Sequence, residues 1–303
     1  MLPAVPLAHP ERPFAFMRLR RLGFLCAVGA LVLGGCNSTA NQLTSTTGLA
    51  AVRILNGSPD LGSVDVYLNT ATGTPLASAL TYGTLNIYTN EAAAKAYKVV
   101  VTAAGAPASV KLSCSLPGLT LNTRYTVVIA GTVAGGSTAT GLQCQLFAET
   151  VYSLPANQFQ LSFHYASATL GATQPTVSFG LYSAGANNYQ LPSGNATFTA
   201  TTAGGVALAT AVNTLVPAVQ TAPGLGVYIS AEIGTPPSSV YATTTPSQAT
   251  TGLRGATGAQ NPNTFMPYTT TTGATTTTVS SILSVYAIDA SGGNGVALVC
   301  AMD

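Results

Sequence analysis

The sequence predicts an all-β protein, with two tandem immunoglobulin-like or fibronectin-like antiparallel β-sandwich modules after an N-terminal export signal. Short alternating apolar segments separated by Gly, Pro, Asn and Ser run through most of the chain, which is typical of strands joined by tight turns. Thr and Val are abundant and favour strands. After the N-terminal region, no segment sustains a 3.6-residue apolar period with helix caps.

The N-terminal region has the three-part plan of an export signal. From Met17 it reads MRLRRLGFLCAVGALVLGGC, with arginines first, then an apolar run too short for a comfortable membrane span. Residues 1–16 lie upstream of the arginines, which favours Met17 as the true start. The final Leu-Gly-Gly-Cys resembles the lipobox of bacterial lipoproteins. That resemblance implies a signal peptide over residues 1–35 and acylation of Cys36, palmitate included.

Two alternatives to the lipoprotein signal stay open: a simple secretory signal, and a buried cysteine in a membrane helix. If Cys36 is acylated, each buried lipid methylene contributes about 0.8 kcal/mol to membrane binding. Asn37 after the cysteine resembles the sorting pattern for the outer membrane of a Gram-negative cell. We therefore expect a lipid-anchored protein of the bacterial cell envelope, on the periplasmic or surface face of the outer membrane. Residues 36–48 are small and polar and predict a flexible tether.

The composition excludes an ordinary cytosolic enzyme and a nucleic-acid-binding protein. Of 303 residues, 47% are hydrophobic and only 6% are charged, where about 25% charged is usual. From Cys36 onward the chain holds six Lys and Arg against seven Asp and Glu, so its excess of positive charge belongs to the export signal. Affinity for a phosphate backbone depends on clustered Lys and Arg.

The first predicted module covers residues 49–153. Because side chains alternate along a strand, every second residue of its apolar segments shares one face. Three segments show this alternation clearly: Val64, Val66 and Leu68; Tyr97, Val99 and Val101; and Tyr125, Val127 and Ile129.

An internal repeat predicts the second module, over residues 157–303. Residues 88–105 match 189–204, with Gly105 and Gly204 at equivalent turns, and the segment from Ala50 matches the one from Gln160. The last strands also correspond and align Cys144 with Cys300. On this alignment the second module carries an insertion at about 206–278.

The motifs of the first module resemble a known bacterial envelope family. VRILNGSPDLGSVDVYLN, LTYGTLNIY, AYKVVVTAAG and TRYTVVIAGT are similar to the family catalogued as domain of unknown function 4397. Asn56 stands where that family usually has His, and Pro59, Asp60, Asp65 and Tyr67 are as expected. The second copy lacks the Pro-Asp pair and the Asp-Val-Tyr. The resemblance implies an exported β-sandwich and carries no established activity.

The segment from Leu116 to Tyr125, ahead of the strand TVVIAG, is similar to the tyrosine corner of immunoglobulin and fibronectin sandwiches. There a tyrosine hydroxyl bonds a backbone group upstream at the turn. The alternative is a core aromatic ring with a solvated hydroxyl.

Three cysteines follow Cys36. Cys114 and Cys144 each share the apolar face of their strand, so we expect them to form a disulfide in one module. Two reduced thiols, or a Cys144–Cys300 bond between modules, are the alternatives. No C-x-x-C pair or fourth ligand accompanies them, so we expect no metal and no cofactor.

Candidate catalytic residues are few. His164 is the one histidine after Cys36, and in LSFHYAS it is typical of a hydrogen-bonded structural histidine. No G-x-S-x-G elbow is present for a triad. Asp60 and Asp65 are close in sequence, and we interpret both as turn-capping residues; a cation bound by these carboxylates with loop carbonyls is the alternative. Gly-rich segments at 134–137 and 291–295 predict hairpin turns.

We therefore expect a non-enzymatic protein that binds an envelope protein, the cell wall or a polysaccharide through its loops. The sequence contains no Trp, the largest aromatic side chain on which a sugar ring could stack, and this weakens the hypothesis that the partner is a polysaccharide. One rival is a hydrolase or metal-dependent enzyme in the second module, with Glu232 or Asp289 converging on His164 in a deep pocket. Another is a structural spacer without a concave site, whose strand edges pair with neighbours. Residues 235–278, rich in Thr, Pro, Gly and Ala, predict a long loop or surface arm.

Overall fold

The computed structural model describes residues 48–150, 158–183, 188–217, 225–230, 242–244, 269–272, 275–278, 282–291 and 296–302. In these residues the chain forms β-strands and one four-residue helix, so the predicted all-β class is confirmed. The export signal, Cys36, the tether up to residue 47, Glu232 and Arg254 lie outside the described residues. No helix in the described ranges is long and apolar enough to cross a membrane.

The first sandwich is built mainly from the first eight strands: β1 (Leu49–Asn56), β2 (Val64–Leu68), β3 (Ala77–Leu80), β4 (Thr89–Ala92), β5 (Tyr97–Ala103), β6 (Ala106–Leu116), β7 (Thr123–Ala130) and β8 (Gln143–Thr150). One sheet has the order β3-β2-β5-β6, and the facing sheet contains β8-β7-β1-β4. The predicted apolar faces of β2, β5 and β7 pack together in the core between these sheets, Leu68 at its edge.

The remaining elements follow in the second half: β9 (Gln158–Tyr165), α1 (Ala168–Gly171), β10 (Thr176–Ser183), β11 (Asn188–Thr197), β12 (Val206–Ala209), β13 (Val212–Pro217), β14 (Leu225–Ser230), β15 (Ala242–Thr244), β16 (Thr269–Thr272), β17 (Thr275–Thr278), β18 (Ile282–Asp289) and β19 (Val296–Met302). Two sheets, β11-β10-β14-β15 and β13-β9-β18-β19, form the second sandwich. Its core includes Phe163 stacked on Phe179, with ring centroids 4.3 Å apart.

The two sandwiches share one strand order. In the first sandwich, β4 pairs antiparallel with β1, β1 pairs parallel with β7, and β7 pairs antiparallel with β8. The second sandwich repeats these directions in the order β13, β9, β18 and β19. The other sheets, β3-β2-β5-β6 and β11-β10-β14-β15, are both antiparallel throughout. The tandem duplication and its module boundaries stay predictions, and this shared order supports them.

The shared order corrects the expected repeat alignment and the expected insertion. Residues 188–197 form β11, the topological counterpart of β3, so 88–105 and 189–204 are not equivalent in the fold. The segment expected as an insertion, 206–278, contains β13, β14 and β15 of the second sandwich. Its strand β12 pairs with β8 and extends the first sandwich. Within the Thr-rich stretch expected as a loop, β16 and β17 pair antiparallel.

The sheets are not purely antiparallel, which corrects a second expectation. β1 pairs parallel with β7, β9 with β18, and β8 with β12. Parallel neighbours need a long crossover. Between β1 and β7, as between β9 and β18, the chain makes this crossover through the facing sheet of the same sandwich.

The sheet of β1, β7 and β8 packs face to face against the sheet of β9, β18 and β19. Strand alternation sends Val52 and Ile54 of β1 into the first core and Leu55 toward the second sandwich. Phe147 and Tyr286 are among the fully buried residues of this third apolar cluster, which lies between the sandwiches. The central strands β1, β7 and β18 are therefore buried on both faces.

The disulfide and the tyrosine corner stabilise the first sandwich. Cys114 of β6 and Cys144 of β8 are bonded, and their Cα atoms lie 6.3 Å apart, whereas Cys300 is free and buried in the second core. Burial raises the pKa of the Cys300 thiol to about 12. The Tyr125 hydroxyl accepts a hydrogen bond of 2.8 Å from the backbone N–H of Thr120, which confirms the predicted corner.

Replacing Tyr125 by Phe should lower the free energy of unfolding by about 1 kcal/mol, because the Thr120 N–H loses its acceptor at the turn. Chemical denaturation followed by circular dichroism measures the change. Tyr67→Phe is the matched control, since Tyr67 is equally buried and its hydroxyl has no hydrogen-bond partner in the described part of the chain. Equal stability of the two variants would contradict a role for the corner.

Candidate functional site

His164 and Glu149 meet in the interface between the sandwiches. His164 lies on β9 and has no exposed surface, and Glu149, on β8, has a side chain that is 10% exposed. The His164 Nε2 and Glu149 Oε1 atoms are 2.6 Å apart, and the His164 Nδ1 lies 3.2 Å from the carbonyl oxygen of Val285. Both ring nitrogens are thus engaged.

A chain of hydrogen bonds connects this pair to Arg53 of β1. The Arg53 Nη2 donates to the Tyr286 hydroxyl at 2.6 Å, and the Arg53 Nε donates to the Thr126 hydroxyl at 2.9 Å. The Tyr286 hydroxyl donates to the Glu149 Oε1 at 3.2 Å. We call Arg53, Thr126, Glu149, His164 and Tyr286 the polar cluster. It joins strands of both sandwiches through side-chain contacts.

Aromatic rings enclose the polar cluster. The Tyr286 ring stacks on the imidazole of His164 with centroids 4.1 Å apart, and Phe147 meets that imidazole edge-on at 4.9 Å. The guanidinium carbon of Arg53 lies 4.3 Å from the centroid of the Tyr88 ring. In the part of the chain that the structure describes, the His164 ring is fully buried and both of its nitrogens have partners.

The surroundings of Glu149 act on its pKa in opposite directions. Burial alone would raise the pKa of Glu149, because it disfavours the charged form. The charge and hydrogen bond of His164, the charge of Arg53 and the hydrogen bond from Tyr286 together outweigh burial and hold the pKa below its usual range. Glu149 is therefore ionised in the folded protein at neutral pH.

Asp60 and Asp65 cap loops, which confirms their interpretation as turn-capping residues. The two oxygens of Asp60 accept from the backbone N–H groups of Val133 and Ala134, at 2.8 and 3.0 Å. Burial would raise the pKa of Asp60, but these bonds and the Ser58 hydroxyl lower it.

Asp65 accepts from the backbone N–H groups of Ala79 and Gly105, both at 2.8 Å. These two bonds lower the pKa of Asp65 and outweigh the effect of burial. In the described ranges, no group of three or more His, Cys, Asp and Glu residues is arranged to hold a metal ion.

Asp289, at the end of β18, fixes a meeting point of the two sandwiches. It has no exposed surface, and its Oδ2 accepts from the backbone N–H of Gly131 in the first sandwich at 2.6 Å. Its Oδ1 accepts from the Ser167 hydroxyl and from the N–H and hydroxyl of Thr169, beside α1. Asp289 thus holds loops of both sandwiches and does not converge on His164.

A cleft of about 540 Å³ opens where these loops meet. We call it the loop cleft. Its walls are the β1–β2 and β7–β8 loops of the first sandwich, and α1 with the β18–β19 turn of the second. Small and polar residues line it: Pro59, Asp60, Thr132, Ala134, Gly135, Thr140, Thr169, Ala290 and Ser291. Asp60 is the one ionisable group among these residues.

The β7–β8 loop keeps a tight shape at the cleft. Gly131 has a φ of +83°, which a residue with a Cβ rarely adopts, and a Cβ there would overlap the backbone of Gly141. Asp60 and Asp289 hold the same loop through the N–H groups of Val133, Ala134 and Gly131. The wall of the cleft is therefore fixed in place by hydrogen bonds.

The structure separates the residues that the enzyme hypothesis brought together. His164 contacts Glu149, a residue that the sequence did not single out, and Asp289 faces Ser167, Thr169 and Gly131. Glu232 lies outside the described residues. A sequence signal for the interface did exist, because β1 (LAAVRILN) and β18 (ILSVYAID) are nearly continuous buried runs, as expected for strands covered on both faces.

The model of the family described as Domain of unknown function (DUF4397) matches this chain over residues 50–174. The predicted resemblance is confirmed over these residues. The DUF4397 match covers the first sandwich and continues through β9 and α1 of the second. A search of curated proteins found no match.

Solved structures similar to this chain include two carbohydrate-binding modules. One is the CBM26 module CBMbc of Eubacterium rectale Amy13K in complex with maltoheptaose, 10% identical, covering 83% of this chain and 95% of its own, with a TM-score of 0.22. The other is a family 41 module from streptococcal virulence factors, described for α-glucan recognition. It is 14% identical, the match covers 62% of this chain and 83% of that module, and the TM-score is 0.18. Both superpositions are too loose to bear on the function of this chain.

Replacing Asp289 by Asn should lower the free energy of unfolding by about 2 to 3 kcal/mol. In either orientation the Asn amide presents N–H groups to one set of buried donors, Gly131 on one side or Ser167 and Thr169 on the other. Denaturant unfolding measures the loss. A change within a few tenths of a kcal/mol, as is usual for surface substitutions, would contradict the structural role of Asp289.

Proposed function

We propose that this protein is a lipid-anchored, non-enzymatic binding protein of the bacterial cell envelope, attached through Cys36 to the outer membrane. The observation that carries the proposal is the separation of reactive groups from the open surface. His164 and Glu149 are hydrogen-bonded to each other in the interface between the sandwiches, and the second nitrogen of His164 faces the Val285 carbonyl. The loop cleft, by contrast, is lined by small and polar residues with one carboxylate, that of Asp60, which is bound to two backbone N–H groups.

The chemistry of the loop cleft limits its partner. The described lining contains no Lys or Arg, so nothing there would pair with a phosphate or an acidic sugar. It contains no aromatic ring on which a planar group could stack. A neutral or positively charged envelope protein, cell-wall peptide or polysaccharide segment, bound by hydrogen bonds, fits this lining best.

The cleft also favours binding over the spacer hypothesis. A spacer needs no concave surface, whereas the loop cleft is an open depression walled by loops of both sandwiches. Both of its sides are loops on rigid sheets, which is the usual placement of binding residues. Nothing in the described residues favours the hydrolase alternative.

Mass spectrometry of the N-terminal peptide tests the anchor. We expect the mature chain, purified from membranes, to begin at Cys36 with a lipid-sized mass increment, because the sequence ending at that residue resembles a lipobox. Cys36→Ser should leave the membrane fraction. An unmodified peptide that begins elsewhere, together with wild-type behaviour of Cys36→Ser, would contradict the proposal.

Capture of solubilised envelope material by the immobilised chain tests the binding site. Ala134→Trp fills the cleft from an exposed position and should reduce capture about tenfold. Ala96→Trp is the matched control, an exposed alanine just before β5, outside the cleft lining, and should leave capture unchanged. Equal capture by both variants would exclude the cleft as the contact surface. Capture that is lost after removal of protein, peptide or glycan from the material identifies the partner class.

A further inference from the structure

The two sheets of the first sandwich end at different places. In the part of the chain that the structure describes, β12 is the last strand of one sheet, after β8, and β6 is the last strand of the facing sheet. The bond between Cys114 and Cys144 places β6 opposite β8, so β12 extends one strand beyond β6. Leu208 of β12 is paired with the core residue Leu146 and lies on the same face, yet it is 63% exposed. A strand added beside β6 would cover it.

The edge of β6 presents backbone groups that do not bond to β5. The carbonyl of Lys98, on β5, accepts a hydrogen bond of 2.6 Å from the backbone just after β2, so Lys98 faces β2. Because bonding alternates along an antiparallel strand, the next residue, Val99, faces β6, where it pairs with Cys114. The N–H and C=O groups of Ser113 and Ser115 therefore point away from β5. Such an edge is a template for pairing with another chain.

A groove runs along this edge, and we call it the edge groove. Lys111, Leu112 and Ser113 of β6 form one wall, and the β7–β8 loop, Leu142 and the turn before β12 form the other. The Ser113 hydroxyl oxygen is buried and has no hydrogen-bond partner among the described residues. Lys111 is the one charged residue of the described lining, so the groove favours a negatively charged group at that end.

The first half of β6 is protected against pairing with another strand. Two register shifts interrupt its pairing with β5 between Ala106 and Leu112, and Pro107 has no N–H to donate. Irregular pairing, Pro and Lys are common ways to blunt an edge strand. Residues 112–116, with the sequence LSCSL, contain neither Pro nor charge. Pairing is thus confined to a short segment beside the edge groove.

We propose that the edge groove binds an extended peptide segment of a partner protein, which adds a strand to β6. The backbone of this segment bonds to Ser113 and Ser115, and its alternate apolar side chains cover Leu208. An acidic side chain at one end pairs with Lys111. This inference goes beyond the proposed function and does not rest on the loop cleft.

A second copy of this chain fits the edge groove poorly. In a two-fold dimer the β6 strands of the two copies would pair with each other. The disulfide holds β8 opposite β6, so the β8 strand of the second copy would have to lie where β12 lies. An extended peptide segment has no facing sheet attached and avoids this overlap.

Binding of a synthetic peptide to the full chain tests the inference. The probe is the acetylated and amidated peptide DTVTVTVD, which alternates apolar side chains and carries an acidic residue at each end, so that it suits either strand direction. We expect the Ser113 and Ser115 amides to exchange freely in the chain alone and about tenfold more slowly with saturating peptide, as measured by NMR. Amides already protected in the chain alone would show that the chain covers its own edge, and would overturn the inference. So would the absence of slowing.

Two variants identify the contacts, with peptide affinity measured by fluorescence anisotropy. Ser113→Pro removes an N–H that points away from β5, so the β5–β6 pairing is kept and the affinity should fall about tenfold. Lys111→Glu should weaken binding of DTVTVTVD and strengthen binding of KTVTVTVK. The matched control Lys98→Glu, an exposed lysine on β5 outside the groove lining, should change neither. Lys111→Glu decides the matter if Ser113→Pro does not fold.

Sedimentation velocity tests the second copy as occupant. We expect wild type and Ser113→Pro to sediment alike, and a dimer that Ser113→Pro dissociates would overturn the inference. Equal affinity of the wild-type chain for the acidic and the basic peptide would contradict the pairing with Lys111. None of these experiments uses Cys36 or the loop cleft, so a failure here leaves the proposed function standing, and a failure of the proposed function leaves this inference standing.

Discussion

The burial of the central strands of two sheets on both faces is the constraint on which the rest of this structure depends. Each sandwich encloses its own core, but the central strands β1 and β7 have no solvent-facing side, because their sheet packs on the sheet of β9, β18 and β19. The contact is apolar around Phe147, Tyr286 and Ile288 and polar around His164 and Glu149. Burying charged groups costs free energy unless they are paired and hydrogen-bonded, and the polar cluster meets that condition.

This contact also determines where a partner can bind. Because the sandwiches lie against each other, the loops at the end of β1, β7 and β18 converge with α1, and Asp60 and Asp289 hold them in place. A cleft with walls from both halves of the chain results. The same contact buries His164 and pairs it with Glu149, so neither residue is open for acid–base chemistry in the described structure. The proposed binding role and the lack of an open catalytic group in the described residues thus have one physical origin.

The sequence predicted those features that follow from alternation within single strands. The core faces of β2, β5 and β7, the tyrosine corner at Tyr125 and the capping roles of Asp60 and Asp65 all depend on short-range patterns. The family resemblance rested on equally local motifs around Asp60 and Asp65. The fold class followed from the same signals.

Features that depend on long-range pairing were not predictable in the same way. The parallel β1–β7 and β9–β18 pairs need a crossover through a second sheet, which leaves no mark in a local window. β12 pairs with the first sandwich although it follows β11 in the chain. His164 and Glu149 are 15 residues apart and meet only because β8 and β9 lie in facing sheets. Calorimetry tests this shared interface most directly: we predict that the two sandwiches unfold in one cooperative transition with equal calorimetric and van't Hoff enthalpies, whereas two independent transitions would contradict it.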